Sequence, residues 1–353
     1  MCVPHTAVPY LPMTPKLSIC IATYNRGAFI AQTLGSIVSQ LGPQVELVIV
    51  DGASPDDTAA VVAPYLLPGR PLHYIRESAN SGVDADYDKA VGYARGAYCW
   101  LMTDDDLLAP GAIARVLAEL DSEPDLVVVN AQVRTLDFSD VLTDRFLPFD
   151  KDRSYAGGTD TFFAEVAGYL SFIGGVVVKR SLWLSRERSA FYGTLFIHVG
   201  VLFQAPLPGA VKVISEPLIW IRYGNSMWTS RGFEIWMFKW PALIWSFASY
   251  SDSAKARVIA RAPWQSVRKL VFRRAVGGYS IVEYRQFVAG GASRRATWQA
   301  WLIARMPGSL ANAVAALYCL LINREARAGA YDLGQSRYAT WIGRLAARKR
   351  ARS

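Results

Sequence analysis

Cysteine and histidine are scarce in this 353-residue chain. There are three histidines and four cysteines, Cys2, Cys20, Cys99 and Cys319, and the cysteines show no paired spacing. Two of the cysteines lie in predicted strands, so we expect reduced core residues in a cytosolic setting. The first residues also lack a basic stretch followed by an apolar one, which argues against a secretory signal. A disulfide-stapled secreted domain is therefore disfavoured.

Glycine-rich phosphate loops are also missing. No dinucleotide-binding glycine loop follows the first predicted strand, and no P-loop with its Lys-Ser/Thr pair occurs in the sequence. A bound nucleotide would therefore not be held by glycine backbone. Asp51 and the run Asp104–Asp106, acting through a metal ion, are the alternative. The absence also disfavours a sugar-phosphate nucleotidyltransferase, the rival enzyme class that shares this type of fold.

Negative charge is sparse in the last third of the chain. Residues 228–353 carry 21 Lys and Arg against 5 Asp and Glu, whereas residues 1–227 carry 17 against 24. The net charge of +9 thus combines a basic region of +16 with an acidic one of −7. Such asymmetry indicates an anionic partner for the basic region, either a membrane surface or a nucleic acid.

Long apolar runs are absent too. Residues 306–322 are 17 uncharged residues, but Pro307, Gly308, Ser309 and Asn312 dilute them. That length is at the lower limit for crossing a bilayer. We therefore expect a re-entrant or packed segment rather than a transmembrane helix, and a processive polysaccharide synthase with several spanning helices is disfavoured.

The stretch CWLMTDDDLLAP, from Cys99 to Pro110, joins an apolar run to three consecutive acids. The run predicts a buried strand. Asp104, Asp105 and Asp106 at its end need a cation or polar donors to stay ionised. Mg²⁺ and Mn²⁺ prefer carboxylate oxygen and often bridge to a substrate diphosphate. The stretch indicates a metal-diphosphate site, and a solvated acidic turn or an aspartate-capped helix start is the alternative.

Strands and helices alternate through the first 125 residues. This rhythm predicts a mostly parallel sheet with flanking helices, in which ligands bind at the carboxyl ends of the strands. The predicted strands are residues 16–23, 45–50, 72–76 and 99–103. The residues expected together on the rim are Thr23, Tyr24, Asp51, Arg76 and Asp104–Asp106.

Four segments resemble the nucleotide-sugar half of a family 2 glycosyltransferase with the GT-A fold. They are ICIATYNR, IVDGASPDDT, ANSG and YCWLMTDDDLLAPGAI, and they follow one another at suitable intervals within residues 16–125. The piece SGVDADYDKAVGYARGAYCWLMTDDDLL is also similar to enzymes of bacterial O-antigen and surface-polysaccharide assembly. The resemblance implies a nucleotide-diphosphate sugar as donor, Mg²⁺ or Mn²⁺ as cofactor, and inversion at the transferred sugar.

The resemblance also assigns roles to residues. Asp51 would contact the base or ribose, and the family's Asp-x-Asp motif is here a triple Asp, with Asp106 favoured for the metal and Asp104 nearer the ribose. The predicted nucleotide-sugar contacts are Thr23, Tyr24, Asn25, Asp51, Arg76, Asp86, Asp104, Asp105 and Arg222, and the predicted metal ligands are Asp104 and Asp106.

Several of these roles have structural alternatives. Asp51 with Gly52 is also a simple strand-end turn. Asp86, with Asp84 and Asp88 at every second position, contacts donor hydroxyls or belongs to a solvated acidic helix start. For Arg222 the two alternatives are a side chain that binds two phosphate oxygens of the donor and an ordinary arginine at the end of a strand.

The sequence departs from the family pattern at the position of the acceptor-side catalytic residue. His198 lies where family members place it, although many of them have Asp or Glu there. An imidazole is a competent general base near neutral pH. It could equally bind metal or acceptor, or pack within a helix. Glu187 is the second candidate for the base.

We divide the chain into a lead-in (1–15), a GT-A domain (16–227) and a basic, Trp-rich helical region (228–353). Within the GT-A domain we expect a nucleotide-sugar half (16–125) and an acceptor half (126–227). In the last region, apolar stripes containing Trp236, Trp240, Trp245, Trp264 and Trp341 interleave with arginine. Such stripes are typical of helices in a membrane interface, or they face the region's own core.

Taken together, the sequence predicts a metal-dependent glycosyltransferase of O-antigen or surface-polysaccharide biosynthesis. We expect it to act on a lipid-linked glycan while peripheral to the cytoplasmic face of the bacterial inner membrane. A nucleic-acid binder acting through the basic region is the competing class, but no nucleic-acid motif is recognised.

Overall fold

The computed structural model describes residues 14–225, 231–291, 293–322 and 327–351. Most of the predicted lead-in, the expected boundary at 227/228 and Trp228 of the loop after Arg222 lie outside the described residues.

A ten-stranded sheet forms the centre of the described structure, in the order β3-β2-β1-β4-β9-β6-β10-β5, with β7 on β6 and β8 on β10. The strands are β1 Leu17–Thr23, β2 Val45–Asp51, β3 Leu72–Arg76, β4 Tyr98–Met102, β5 Leu107–Leu108, β6 Leu126–Arg134, β7 Val141–Thr143, β8 Arg153–Tyr155, β9 Val176–Lys179 and β10 Val211–Arg222.

Helices flank this sheet and then continue through the C-terminal region. They are α1 Gly27–Val38, α2 Thr58–Val62, α3 Val83–Tyr93, α4 Ala112–Glu119, α5 Asp160–Val166, α6 Arg180–Ser185, α7 Ile197–Phe203, α8 Gly232–Glu234, α9 Trp240–Ser246, α10 Asp252–Val258, α11 Val267–Ala275, α12 Ile281–Glu283, α13 Arg294–Arg305, α14 Gly308–Leu321, α15 Arg327–Gln335 and α16 Trp341–Ala351. Two π-helical turns, Ile235–Lys239 and Tyr284–Val288, follow α8 and α12.

The first four strands are parallel, as predicted. β1 pairs with β2 on one side and β4 on the other, and all three are buried along their whole length. Strands covered on both faces need near-continuous apolar sequence rather than alternation, and YCWLM and VELVIV supply it, the latter with one buried charge, Glu46, that is paired with Arg95. Cys20 and Cys99 lie buried in β1 and β4, consistent with the core role expected for them.

In sequence, FIGGVVV at residues 172–178 predicts a strand and the polar, turn-rich residues 137–158 predict a loop, and the structure differs from both predictions. The strand expected over residues 172–178 begins only at Val176, because Ile173–Gly175 is a 3-10 turn. The Gly175 backbone lies so close to Tyr169 that an added Cβ would come within 2.7 Å of its ring. β9 then runs antiparallel between β4 and β6. The segment 137–158, expected to be an irregular loop, contains β7 and β8.

The C-terminal helices have apolar cores of their own. Phe233, Trp264 and Tyr279 centre one cluster, while small residues of α14, α15 and α16 form another. Trp240 and Trp264 are 3% and 8% exposed, so these tryptophans face the protein interior, as in the alternative interpretation of the stripes. Among the described residues, no helix has both the length and the apolar character needed to cross a membrane.

Candidate active site at the rim of the sheet

The aspartate triplet, Asp104–Asp106, lies in the buried segment that connects β4 to β5. β4 ends at Met102, and Leu107–Leu108 pair antiparallel with β10, so the acids between them are fixed from both sides. Asp104, Asp105 and Asp106 are only 9%, 9% and 3% exposed. The interpretation as a solvated acidic turn is therefore wrong, because these carboxylates are withdrawn from bulk water.

Arg26 is the cation next to the triplet. Its Nε lies 3.4 Å from Asp104 Oδ1 and its Nη2 lies 3.5 Å from Asp105 Oδ2. Asn225 donates from Nδ2 to Asp105 Oδ2 over 2.7 Å, and its carbonyl accepts from Arg26 Nη1 over 3.4 Å. Arg26 is 7% exposed, and its backbone N–H donates to the Thr58 hydroxyl. Sequence reasoning included ICIATYNR in the motif but gave Arg26 no role.

Asp106 is held on the opposite side from Arg26. Its Oδ1 accepts from the Arg222 backbone N–H over 2.7 Å, and its Oδ2 accepts from the Thr103 hydroxyl over 2.5 Å. Burial, and next the neighbouring Asp105 charge, raises the pKa of Asp104 to about 7 and raises the pKa of Asp106 well above its ordinary value. Arg26 and Arg222 therefore do not keep all three carboxylates ionised, and a further cation would stabilise the ionised form in place of a proton.

The triplet fits a divalent ion that is completed by substrate. No described residues form a cluster of three or more His, Cys, Asp or Glu side chains arranged to hold a metal. Mg²⁺ is commonly bound by one or two carboxylates plus substrate phosphates, with no preformed protein cage. Two buried carboxylates with uncompensated charge are the donor set that this mode requires, so the residues present fit the group.

Asp51 ends β2 in the middle of the rim, in register with Thr23 and Arg76 on the flanking strands. Its Oδ1 accepts from the Ser54 N–H over 2.7 Å, and its other oxygen accepts from the Tyr74 hydroxyl. Asp51 is fully buried. These bonds shape the turn after β2, in line with the turn interpretation, and its contact to a base or ribose stays a prediction.

Ser54 connects the remaining rim residues, a role that sequence reasoning missed. Its hydroxyl accepts from the Asn25 N–H over 2.9 Å, and its carbonyl accepts from Arg76 Nη2 over 2.8 Å. Asn25 has a positive φ of 57°, which asparagine tolerates better than most residues. Tyr24 is half-buried beside it. The structure thus brings together the rim residues that the sequence placed at the strand ends.

Asp86 lies against the turn after Asp51. A Cβ at Gly52 would come within 2.7 Å of Asp86 Oδ2, so glycine is required for this approach. Asp86 accepts from the Ser81 hydroxyl over 2.6 Å and is 2% exposed, and burial raises its pKa. The solvated-helix interpretation is wrong for this residue. Its contact to a donor sugar stays a prediction.

Asp84 joins α3 to the segment that leads into α7. Its carboxylate accepts the backbone N–H groups of Gly193, Leu195 and Ile197 over 2.8 to 3.0 Å. Asp88, one turn later, accepts from Trp183 Nε1 over 2.8 Å. These bonds explain why the acids recur on α3, since each one fixes a different neighbouring segment.

Arg222 contacts the segment of the triplet, and each of its three guanidinium nitrogens donates to a protein group. Its Nε donates to the Asp105 carbonyl over 2.9 Å and its Nη1 to the Leu136 carbonyl over 2.7 Å, and its Nη2 donates to Gln32 Oε1. The side chain is 7% exposed. These contacts favour the interpretation of a strand-end arginine that anchors loops, and the phosphate contact stays a prediction.

His198 and Glu187 lie in different surroundings. His198 is 2% exposed within α7, with Nε2 2.7 Å from the Leu170 carbonyl, and its buried Nδ1 has no hydrogen-bond partner among the described residues. Glu187 is exposed, and its carboxylate accepts from the Ser189 hydroxyl and nearby N–H groups, which lowers its pKa. The observed contacts of both are structural, and a catalytic role for either stays a prediction.

We expect His198 to make stability depend on pH. Burial lowers the pKa of its imidazole to about 4, below the ordinary value of about 6.5. The unfolded chain therefore takes up the proton first, and stability present above pH 6.5 is lost as pH falls towards 4, by about 3 kcal/mol. Urea unfolding of wild type and His198→Gln across this range measures the difference.

The same substitution separates packing from base catalysis. The Gln amide retains a donor for the Leu170 carbonyl but does not titrate, so we expect near-normal turnover at pH 7.5 and no pH-linked loss of stability. A fall in turnover of about 10²–10⁴-fold in a folded His198→Gln protein would instead support the general-base role.

Comparisons with known proteins agree with this geometry. Residues 18–165 match the family described as glycosyl transferase family 2. Abequosyltransferase RfbV of Salmonella typhimurium is 27% identical over 237 residues, which is 61% of this chain and 69% of that protein. The succinoglycan biosynthesis protein ExoO of Rhizobium meliloti is 29% identical over 130 residues, 36% of this chain and 37% of that protein.

A solved structure matches over nearly the whole chain. The crystal structure of S. aureus TarS residues 1–349, in complex with UDP, has a TM-score of 0.55 at 17% identity and covers 95% of this chain and 90% of that one. At this identity the match shows the shared fold. Residues 18–165 therefore match a glycosyltransferase family 2 domain, the fold is of the GT-A type, and the chain is similar to proteins of bacterial surface-polysaccharide biosynthesis.

Proposed function

We propose that this glycosyltransferase takes its sugar from a nucleotide-diphosphate donor bound along the rim from Asp51 to the aspartate triplet, with Mg²⁺ or Mn²⁺ bound by the triplet. The observation that carries the proposal is the burial of three adjacent carboxylates with Arg26 as the cation beside them. UDP in the TarS crystal structure supports a nucleotide on this fold.

The residues at the strand ends support the proposed position of the donor. Tyr24 and Asn25 follow β1, and Asp51 and Arg76 end the two strands beside it. We propose that this part of the rim contacts the nucleoside, while Asp86 beside Gly52 contacts donor hydroxyls. Arg26 contacts both Asp104 and Asp105, which supports a triplet that is positioned before the donor arrives.

Asp104 and Asp106 are the residues proposed to hold the metal. A divalent ion would neutralise diphosphate charge as the bond to the sugar breaks. Two hydrogen bonds orient the Asp106 carboxylate, and each of its oxygens keeps a further lone pair with which it would bind the ion.

The proposed reaction is a single displacement with inversion. An acceptor hydroxyl oxygen forms a bond to the anomeric carbon, the bond from that carbon to the diphosphate oxygen breaks, and a general base takes the hydroxyl proton. His198 and Glu187 are the two bases predicted from sequence, and the burial of His198 makes the exposed Glu187 the favoured one. A hexose or deoxyhexose donor and a lipid-linked glycan acceptor of O-antigen or lipopolysaccharide assembly are proposed, since RfbV is named as an abequosyltransferase.

A panel of nucleotide sugars tests the proposal. Wild type and Asp104→Asn are titrated by calorimetry with UDP-, GDP-, CDP- and dTDP-sugars, each with and without Mn²⁺. We expect one nucleotide class to bind wild type with an affinity that Mn²⁺ raises at least tenfold, and Asp104→Asn to lose the gain. Binding of no donor, or equal binding by both proteins, would contradict the proposed site.

A further inference from the structure

The solvent face of α14 is made of aliphatic side chains. Its exposed positions after Ser309 are Leu310, Val314, Leu317 and Leu321, followed by Ile322. Their exposed fractions are 52%, 49%, 44%, 70% and 71%. The spacing of four, three and four residues places the side chains on one stripe of the helix. A face of this kind on a water-facing helix is unusual and marks an interaction surface.

The opposite face fixes the orientation of the helix. Ala311, Ala315 and Ala316 are buried against α11, α15 and α16, and Asn312 donates from Nδ2 to the Leu333 carbonyl over 2.9 Å. The buried side is therefore built from small and polar residues, while the large aliphatic residues point outwards. This distribution is the reverse of an ordinary amphipathic surface helix.

Basic and aromatic groups lie on the helices that pack against the buried face of α14. Arg268 of α11 donates to the Tyr318 hydroxyl of α14 over 3.2 Å. α16, which packs on α14, exposes Trp341 at 74% together with Arg344 and Arg348. Residues 228–353 as a whole carry 21 basic and 5 acidic residues.

We infer that α14 lies flat in the surface of an anionic lipid bilayer, with its aliphatic stripe among the acyl chains and the surrounding arginines at the phosphate level. The helix has 14 residues and spans roughly 21 Å, too short to cross the hydrocarbon core but suited to an interfacial position. A second copy of the chain is the less favoured occupant, because pairing would bring two basic regions together.

This inference changes the location predicted from sequence. The Trp-rich stripes at Trp240 and Trp264 face protein cores, so the lipid contact moves to the segment 306–322, which the sequence had indicated as packed or re-entrant. The inference is independent of donor and metal binding, since it uses no residue of the rim.

Vesicle sedimentation tests the inference on the full chain. The vesicles are phosphatidylcholine alone or with phosphatidylglycerol, and the variants are Leu317→Gln/Leu321→Gln and the matched control Leu67→Gln. Leu67 is an exposed leucine (52%) in the acidic part of the chain. We expect wild type and Leu67→Gln to bind anionic vesicles, with weaker binding at high salt, and the double variant to bind at least tenfold more weakly.

A second measurement tests the inference even if the double variant does not fold. An environment-sensitive dye is attached to Leu321→Cys, and the same dye on Leu67→Cys gives the comparison. The fluorescence of labelled wild type, which reports the native cysteines, is subtracted from both. We expect the dye at position 321 alone to become brighter with anionic vesicles. Wild type that stays unbound at low salt, or a folded double variant that binds as wild type does, would overturn the inference. So would a wild-type dimer in light scattering that the double variant loses.

Discussion

Replacing Asp106 by asparagine is expected to reduce transfer activity by roughly 10²–10³-fold without reducing the stability of the protein. The amide oxygen can accept from the Arg222 N–H, and the amide nitrogen can donate to the Thr103 hydroxyl. Both contacts of the carboxylate, 2.7 and 2.5 Å long, thus have replacements. Only the charge is lost, and it is a charge buried beside two others.

The measurement combines turnover with thermal unfolding. Asp125→Asn is the matched control, because Asp125 is also buried but accepts from Gly209 N–H, away from the triplet. We expect the control to retain turnover and Asp106→Asn to retain the melting temperature while losing its response to Mn²⁺. Wild-type turnover in Asp106→Asn would remove this carboxylate from the mechanism.

Removing the Arg222 side chain is expected to lower the free energy of unfolding by roughly 3–5 kcal/mol. Arg222→Ala leaves the buried Asp105 carbonyl and the partly buried Leu136 carbonyl without the donors they now have, and it also ends the contact with Gln32. The guanidinium packs over Phe138 at 4.3 Å from the ring centre as well. The loops that carry the triplet would lose their common anchor, so activity should fall together with stability.

Urea unfolding and donor kinetics distinguish this role from a phosphate contact. Arg134, the register partner of Arg222 on β6, is the control, because its half-buried guanidinium stacks over Trp220 instead. We expect Arg134→Ala to cost less than about 1 kcal/mol. An Arg222→Ala protein of normal stability with a much higher KM for the donor would contradict the anchoring role and favour the phosphate clamp.

The first half of the chain was predictable because its signals are local. The strand Leu72–Arg76 was predicted with its observed bounds, and β1, β2 and β4 within two residues. A parallel α/β arrangement then places strand ends on one rim for topological reasons. Thr23, Asp51, Arg76 and Asp104 therefore came together without any knowledge of side-chain contacts.

The partners of those residues could not be predicted. Arg26 and Asn225 are 199 positions apart, and both contact Asp105. Nor does a sequence pattern show that Asp84 accepts three N–H groups from a loop more than a hundred residues later. Such contacts depend on how the two halves of the sheet pack, which periodicity does not encode.

Sequence alone determined the α/β class, the order of the first strands, the acidic motif and the opposed charges of the two parts of the chain, since each follows from residue type and spacing. The tertiary structure decided which acids are buried, which cation accompanies them and which helix face meets solvent. Trp264 and Leu321 illustrate the reason: both are apolar residues in helical segments, and only the packing of distant helices leaves one 8% and the other 70% exposed.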